Sequence, residues 1–121
     1  MKKDIHKKED IILLVDEFYQ RIRKDDLLSP VFTFHVKDNA QHLKLMYDFW
    51  ENVIFYSGNY AGNPMSAHIK VHSETPLQIQ HFVRWNMLFN ETVDALFTGK
   101  NAELVKQKAN SISAIIQLKI I

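Results

Sequence analysis

Hydrophobic positions recur at helical spacing along most of the chain. In the first segment, apolar residues follow one another at intervals of three and four, which predicts an amphipathic helix over about residues 7–26. The members of this apolar stripe are Ile11, Leu14, Val15, Phe18 and Ile22. Ser29–Pro30 disfavours helix just beyond it. Residues 31–34 are therefore expected to form no more than one turn of helix.

The middle of the chain carries a second and broader apolar face. Its residues are Leu43, Met46, Phe49, Trp50, Val53 and Ile54. Asp38 or Asn39 is expected to cap the start of this helix, and Gly58 is expected to end it. The stretch that follows is irregular, but Asn63–Pro64 is typical of a cap followed by a first-turn proline. A short helix is therefore predicted over residues 65–71.

Two further helices are predicted in the last third of the chain. The sequence Thr75-Pro76-Leu77-Gln78 has the form of a capping box with proline at the first helical position, and it is expected to open a long helix that Gly99 closes. Asn101 is expected to cap the last helix. Four substantial helices, one short helix and no convincing strand predict an all-α protein, folded as one domain over residues 1–121.

Composition and charge narrow the class of function. The chain is 46% hydrophobic and 12% aromatic, which is enough to build a core and to line a binding site for a flat ligand. The absence of cysteine excludes disulfides, iron–sulfur clusters and thiolate zinc sites within the chain. A formal charge of +1 gives no electrostatic reason to expect nucleic acid or an anionic membrane. No apolar run is long enough to span a membrane and no signal-peptide stretch follows Met1, so a soluble cytoplasmic protein is the expectation. The small net charge and the lack of an exposed heptad seam favour a monomer.

Histidine is the strongest candidate ligand type among the residues. His42 lies on the apolar face of its segment, four residues before Met46, where a half-buried core histidine is the commoner explanation. His68 and His72 are four residues apart and can share a helix face as zinc ligands, although two surface histidines would give the same pattern. Residue pattern alone therefore stops at a helical domain with an aromatic-rich interior.

Four sequence blocks together go further than any one of them. The blocks are Phe18-Tyr19 followed by Arg21-x-Arg23-Lys24-Asp25 and Ser29-Pro30-Val31-Phe32; His42 followed by Phe49-Trp50; Tyr60-x-Gly62-Asn63-Pro64-Met65-x-x-His68; and His81-Phe82-x-Arg84-Trp85-x-x-Leu88-Phe89. In this order, over about residues 11–118, they resemble the group III truncated haemoglobins. The resemblance implies the truncated globin fold, in which helices pack two over two around a haem b.

The resemblance also implies roles for individual residues. His68 would be the proximal ligand of the haem iron, and His72 is the rival because the loop before Pro76 looks long. Tyr19, His42 and Trp85 would surround the gas site as hydrogen-bond donors. Further residues would contact the haem itself. Phe32, Met46, Phe49 and Trp50 would supply apolar packing, and Tyr60, His72 and Arg84 would be partners for the propionates.

The implied function is reversible binding of dioxygen, carbon monoxide or nitric oxide, for transport, buffering or sensing. A second hypothesis is an enzyme that dioxygenates nitric oxide or reduces peroxide at the same iron. It would require an external electron donor. A third hypothesis is a helical interaction module without haem. The response of the absorbance spectrum to replacement of His68 would separate this module from a haem protein.

Overall fold

The computed structural model describes residues 2–58 and 64–120, with residues 64–66 described by their backbone only. Six helices make up this part of the chain. They are α1 (Lys8–Arg23), α2 (Ser29–His35), α3 (Asn39–Phe55), α4 (Pro64–Glu74), α5 (Ile79–Leu96) and α6 (Lys100–Ile120). Within the described ranges, the only extended pairing is a single bridge between Lys3 and Phe97. The predicted all-α class is confirmed.

The helices pack as two pairs. α1 packs on α3, α5 packs on α6, and the contacts of α1 with α5 and of α3 with α6 join the pairs into the predicted two-over-two arrangement. Phe18 of α1 and Phe89 of α5 are almost fully buried where the pairs meet. Burial of an aromatic side chain is worth several kcal/mol in such a core, on the order of 2–3 kcal/mol each. The described helices include none long and apolar enough to cross a membrane.

The end of α1 and the segment that follows it differ from the prediction. α1 ends at Arg23, three residues early, because the Asp25 carboxylate accepts the backbone N–H groups of Leu27 and Leu28 and stabilises a turn there. The expectation of at most one helical turn after Pro30 was wrong, since α2 has seven residues. Proline lies in its first turn, where no intrahelical N–H is needed, so it starts the helix instead of preventing it.

The bounds of α3 and α4 also correct the prediction. Asp38 is the N-cap of α3, its Oδ1 accepting the N–H of Gln41 at 3.0 Å. The helix ends at Phe55, and the left-handed residue that follows is Tyr56, with φ of 55°, ahead of Gly58. α4 extends to Glu74, beyond the predicted limit of residue 71.

The predicted capping box at residues 75–78 does not open α5. The N–H of Thr75 donates to the carbonyl of Val71 and prolongs the end of α4 instead. α5 begins at Ile79 with Gln78 as its N-cap, and the Gln78 N–H donates to His81 Nδ1 at 2.9 Å. The predicted start of the helix was therefore wrong by three residues. Two capping patterns overlap here, and the later one caps α5 because the end of α4 takes up the earlier residues.

A carboxylate from the other end of the chain caps α6. Asn101 was predicted as this cap, but it lies inside the first turn, after the start of the helix at Lys100. The Asp4 carboxylate accepts the N–H groups of Asn101 and Ala102 at 2.9 and 2.8 Å. The Asn101 side chain donates to the carbonyl of Ile5 at 2.7 Å. The cap therefore ties the N-terminal segment to the last helix.

Asp4→Ala is expected to lower the free energy of unfolding at pH 7 by about 1–2 kcal/mol, the usual cost of losing a cap. Partial burial alone would raise the pKa of Asp4, but its backbone donors outweigh this and lower the pKa below its usual range. The stabilisation is therefore present above the unfolded-state pKa and is lost as pH falls through the lower folded-state pKa. Urea titrations at pH 7 and near pH 2 check this. A gap between parent and variant that is equally wide at both pH values would contradict it.

Gly99 at the start of α6 is expected to be more sensitive to alanine than Gly58. Both have positive φ, 135° and 77°, so both substitutions carry backbone strain. A Cβ on Gly99 would lie 2.5 Å from Cγ of Asp4, whereas nothing lies within 4 Å of a Cβ on Gly58. Gly99→Ala should lower the thermal midpoint by several degrees more than Gly58→Ala. Equal losses would show that strain alone, without the clash, decides the cost.

Candidate functional site

Three helices bring aromatic side chains together on one side of the molecule. Tyr19 of α1 and His42 of α3 meet edge to face, with ring centroids 5.1 Å apart. Phe32 of α2 contacts both, at centroid distances of 5.3 Å from Tyr19 and 5.6 Å from His42. Phe32 is carried by α2, which begins at Ser29. Two of the predicted distal residues are thus in direct contact.

Trp85 of α5 joins the same cluster through Phe18. The Phe18 ring lies 5.2 Å from the Tyr19 ring and 5.4 Å from the Trp85 ring. Trp85 also stacks on Phe89 at 5.4 Å, and Trp50 stacks on Phe89 at 4.9 Å. These rings form one distal aromatic cluster. Its members are Phe18, Tyr19, Phe32, His42, Trp50, Trp85 and Phe89.

Polar atoms in the distal aromatic cluster are held in defined protonation states. Burial lowers the pKa of His42, and the nearby charges of Arg23 and His68 lower it further, so its imidazole is neutral at pH 7. Burial raises the pKa of Tyr19 above its usual range, so its hydroxyl keeps the proton. His42 Nε2 is buried and has no hydrogen-bond partner among the residues that the structure describes. Such an atom is costly unless a ligand completes its hydrogen bonding.

His68 lies on α4 and is half-buried. Its charge is among the causes that lower the pKa of His42, after burial and the charge of Arg23. No group of three or more histidine, aspartate or glutamate side chains suited to a metal ion occurs in residues 2–58 or 67–120. The zinc interpretation of His68 and His72 therefore finds no third ligand in those ranges.

His72 has a structural partner in the turn between α4 and α5. Its Nδ1 accepts the backbone N–H of Leu77 at 2.8 Å. An acceptor nitrogen carries no proton, so in the neutral ring Nε2 carries it, and a protonated nitrogen has no lone pair to offer to iron. This contact favours His68 over His72 as the candidate ligand. The Nε2–H of His72 remains a donor of the kind that a propionate needs.

Arg84 forms an ion pair that the sequence analysis did not anticipate. Its Nη1 lies 2.5 Å from Oδ1 of Asp25, whose side chain is 8% exposed. Only the turn at Asp25 had a signal in the local sequence, since an aspartate that accepts the backbone N–H groups two and three residues later is typical of an Asx turn. Nothing local, however, indicated that the partner would lie 59 positions further along the chain.

The remaining predicted contacts lie around the same space. Trp50 is buried, and Met46 and Phe49 pack half-buried against the core. Phe49 contacts Trp50 at 5.0 Å. Tyr60 lies outside the described residues. The aromatic walls and the unpartnered Nε2 of His42 are the donor set and lining that a flat haem with a small ligand requires, so the residues fit this group.

The six helices of the described ranges, packed two over two with His42 of α3 in an aromatic cluster, define an all-α globin fold. A family model described as bacterial-like globin matches residues 3–118, and the chain belongs to this family of haem-binding globins.

The chain is 26% identical to the group 3 truncated hemoglobin ctb of Campylobacter jejuni, covering 97% of this chain and 93% of that protein. The crystal structure of group III truncated hemoglobin from Campylobacter jejuni superposes with a TM-score of 0.90 at 25% identity, covering 100% of this chain and 96% of that one. The resemblance predicted from the four sequence blocks is therefore confirmed.

Proposed function

We propose that the protein binds haem b through His68 and uses it to bind dioxygen, carbon monoxide or nitric oxide reversibly. One observation carries this proposal. The buried imidazole of His42 contacts the Tyr19 ring and leaves Nε2 without a partner in the described part of the chain. A polar atom kept available inside an aromatic cluster favours a small ligand that enters and leaves over a permanent partner.

On the proximal side, His68 would hold the iron through one imidazole nitrogen. When bound, haem would supply a ferrous iron that takes a diatomic gas and transfers electron density to it. Met46, Phe49 and Trp50 would exclude water from the porphyrin face, and the Nε2–H of His72 would meet a propionate, with Tyr60 as a further candidate. The contact between His72 Nδ1 and Leu77 orients this ring without help from the ligand.

On the distal side, Tyr19, Trp85 and His42 would donate hydrogen bonds to the gas. The Tyr19 hydroxyl keeps its proton at physiological pH, and burial raises its pKa further. The indole N–H of Trp85 has no other protonation state. Hydrogen bonds to a partly charged oxygen are stronger in a dry site than in water. These donors should therefore slow the release of dioxygen more than that of carbon monoxide, when each rate is compared with the rate from a pocket without donors.

The alternative is an enzyme that consumes nitric oxide or peroxide with an external electron donor. The same three donors favour it, because they could polarise an O–O bond. Nitric oxide removal measured with and without a reducing partner separates the two functions. Many turnovers per haem would favour the enzyme, and a single stoichiometric reaction would favour the gas-binding protein.

The primary test is an absorbance spectrum of protein expressed with sufficient haem. The oxidised, dithionite-reduced and carbon monoxide forms should each show a strong Soret band, which shifts when carbon monoxide is added. The dioxygen spectrum should return to that of the reduced form when the gas is removed under reducing conditions. A folded helical protein that has been given haem and shows no Soret band would overturn the proposal.

A further inference from the structure

An ion pair between a buried aspartate and a partly exposed arginine links the turn before α2 to α5, two elements that carry members of the distal aromatic cluster. Asp25 lies in the turn between α1 and α2, and Arg84 lies on α5 immediately before Trp85. The two side chains meet at 2.5 Å. Tyr19 lies on α1, the helix that leads into this turn. Each partner of the ion pair is therefore connected through the backbone to one predicted gas contact, Asp25 to Tyr19 and Arg84 to Trp85.

The Asp25 end of the pair fixes α2. Its Oδ2 accepts the N–H groups of Leu27 and Leu28 at 3.1 and 2.9 Å, while Oδ1 takes the guanidinium. The Leu28 carbonyl then accepts the N–H of Phe32 at 3.0 Å. A single carboxylate thus links the start of the helix that carries Phe32 to the helix that carries Trp85.

The charges show that this contact is specific. Burial alone would raise the pKa of Asp25, but the Leu28 N–H and the Arg84 guanidinium outweigh it and lower the pKa below its usual range. The Asp25 side chain is 8% exposed, and these groups favour its ionised form. Arg84 is 40% exposed and would be well solvated without Asp25, so the pair is not needed to keep the arginine charged.

We infer that the Asp25–Arg84 ion pair positions Trp85 relative to Tyr19 and thereby sets how strongly the pocket retains dioxygen. Both are positioning residues, since the described contacts of Arg84 are with Asp25. The inference rests on the proposed function, because it concerns the same pocket. It differs from a propionate role for Arg84, in which the guanidinium would act on the haem directly and independently of Trp85.

The test compares Arg84→Met with a control variant at a second ion pair, which also has one partner on α5. Arg84→Met removes the guanidinium and leaves the Asp25 contacts with Leu27 and Leu28 in place. Lys106→Met is the control, since Lys106 pairs with Asp94 of α5 at 2.7 Å, away from the cluster. Both variants are measured in the haem-loaded protein, and Arg84→Lys is included to restore the charge with a different shape.

Three readouts are needed. The carbon–oxygen stretching band of the carbon monoxide form reports the polarity beside the gas. The nuclear magnetic resonance signal of the Trp85 indole N–H in that diamagnetic form reports the position of the ring. The dioxygen dissociation rate reports retention. Arg84→Met should move the band and the Trp85 signal and raise the rate about threefold to tenfold, while Lys106→Met changes none of them.

A second background identifies the route of the effect. If Arg84 acts through Trp85, Arg84→Met should change the dioxygen rate less than twofold once Trp85 is phenylalanine. An equal effect in both backgrounds would overturn the inference, as would unaltered infrared and Trp85 signals in Arg84→Met. Faster haem loss from Arg84→Met, with an unchanged stretching band, would assign Arg84 to the propionate instead. A parent protein with no Soret band would overturn the proposed function itself and this inference with it.

Discussion

Replacing His68 with alanine is expected to abolish the parent Soret spectrum or shift it to that of weakly held haem. A proximal imidazole supplies the protein's coordinate bond to iron, and the other histidine on α4 is oriented for a different contact, because His72 Nδ1 accepts the Leu77 N–H. The retained haem should fall at least tenfold in a dilution or transfer assay. Adding imidazole should restore part of the parent spectrum, since it fills the same coordination position.

His72→Ala is the comparison for this experiment, because it removes a proposed propionate partner but not the proposed iron ligand. It also removes a histidine from α4, and it leaves the Leu77 N–H without its acceptor. The free energy of unfolding should fall by about 1 kcal/mol, while the Soret band keeps its position and its response to carbon monoxide. The reverse result, with a normal spectrum in His68→Ala and a lost one in His72→Ala, would transfer the proximal role to His72.

Local pattern predicted the interior of the helices well. Phe18 and Phe89, each placed on an apolar helix face, are both almost fully buried where the helix pairs meet. The distal residues followed from family resemblance, and the structure brings Tyr19 and His42 into contact and places Trp85 one ring away. The buried faces could be predicted because periodicity determines which face of a helix is buried, whereas the grouping of Tyr19, His42 and Trp85 was implied only by the resemblance.

Helix ends were less predictable because distant groups decide them. The cap of α6 comes from Asp4, 97 positions before Asn101, and no local pattern encodes that contact. The end of α1 depends on Asp25, whose second partner is on α5. Thr75–Pro76 looked like a start signal, yet the Thr75 N–H was taken by Val71. In each case a backbone donor found a tertiary partner or an earlier carbonyl, and local propensity was overridden.

Removing only the hydroxyl of Tyr19 is expected to speed dioxygen release. Tyr19→Phe keeps the ring and its contacts with Phe32 and His42, so the pocket walls stay in place. A hydrogen bond to a partly charged oxygen in a buried site is worth about 1.5–3 kcal/mol. Since each 1.36 kcal/mol corresponds to a tenfold rate change, the dissociation rate should rise about 10- to 100-fold. Stopped-flow displacement of dioxygen by carbon monoxide measures it directly.

The selectivity of the effect is the sharper part of this prediction. Carbon monoxide gains little negative charge, so its dissociation should change less than threefold in Tyr19→Phe. Tyr47→Phe is the matched control, because Tyr47 also loses a hydroxyl hydrogen bond, to Asp16 on α1, yet has no ring contact with the distal aromatic cluster among those described. It should lose stability and leave both gas rates unchanged.

Equal acceleration of both gases in Tyr19→Phe would mean that the hydroxyl keeps the pocket closed and does not bind the ligand. An unchanged dioxygen rate would transfer the donor role to Trp85 or His42, whose own replacements, Trp85→Phe and His42→Leu, would then carry the whole effect.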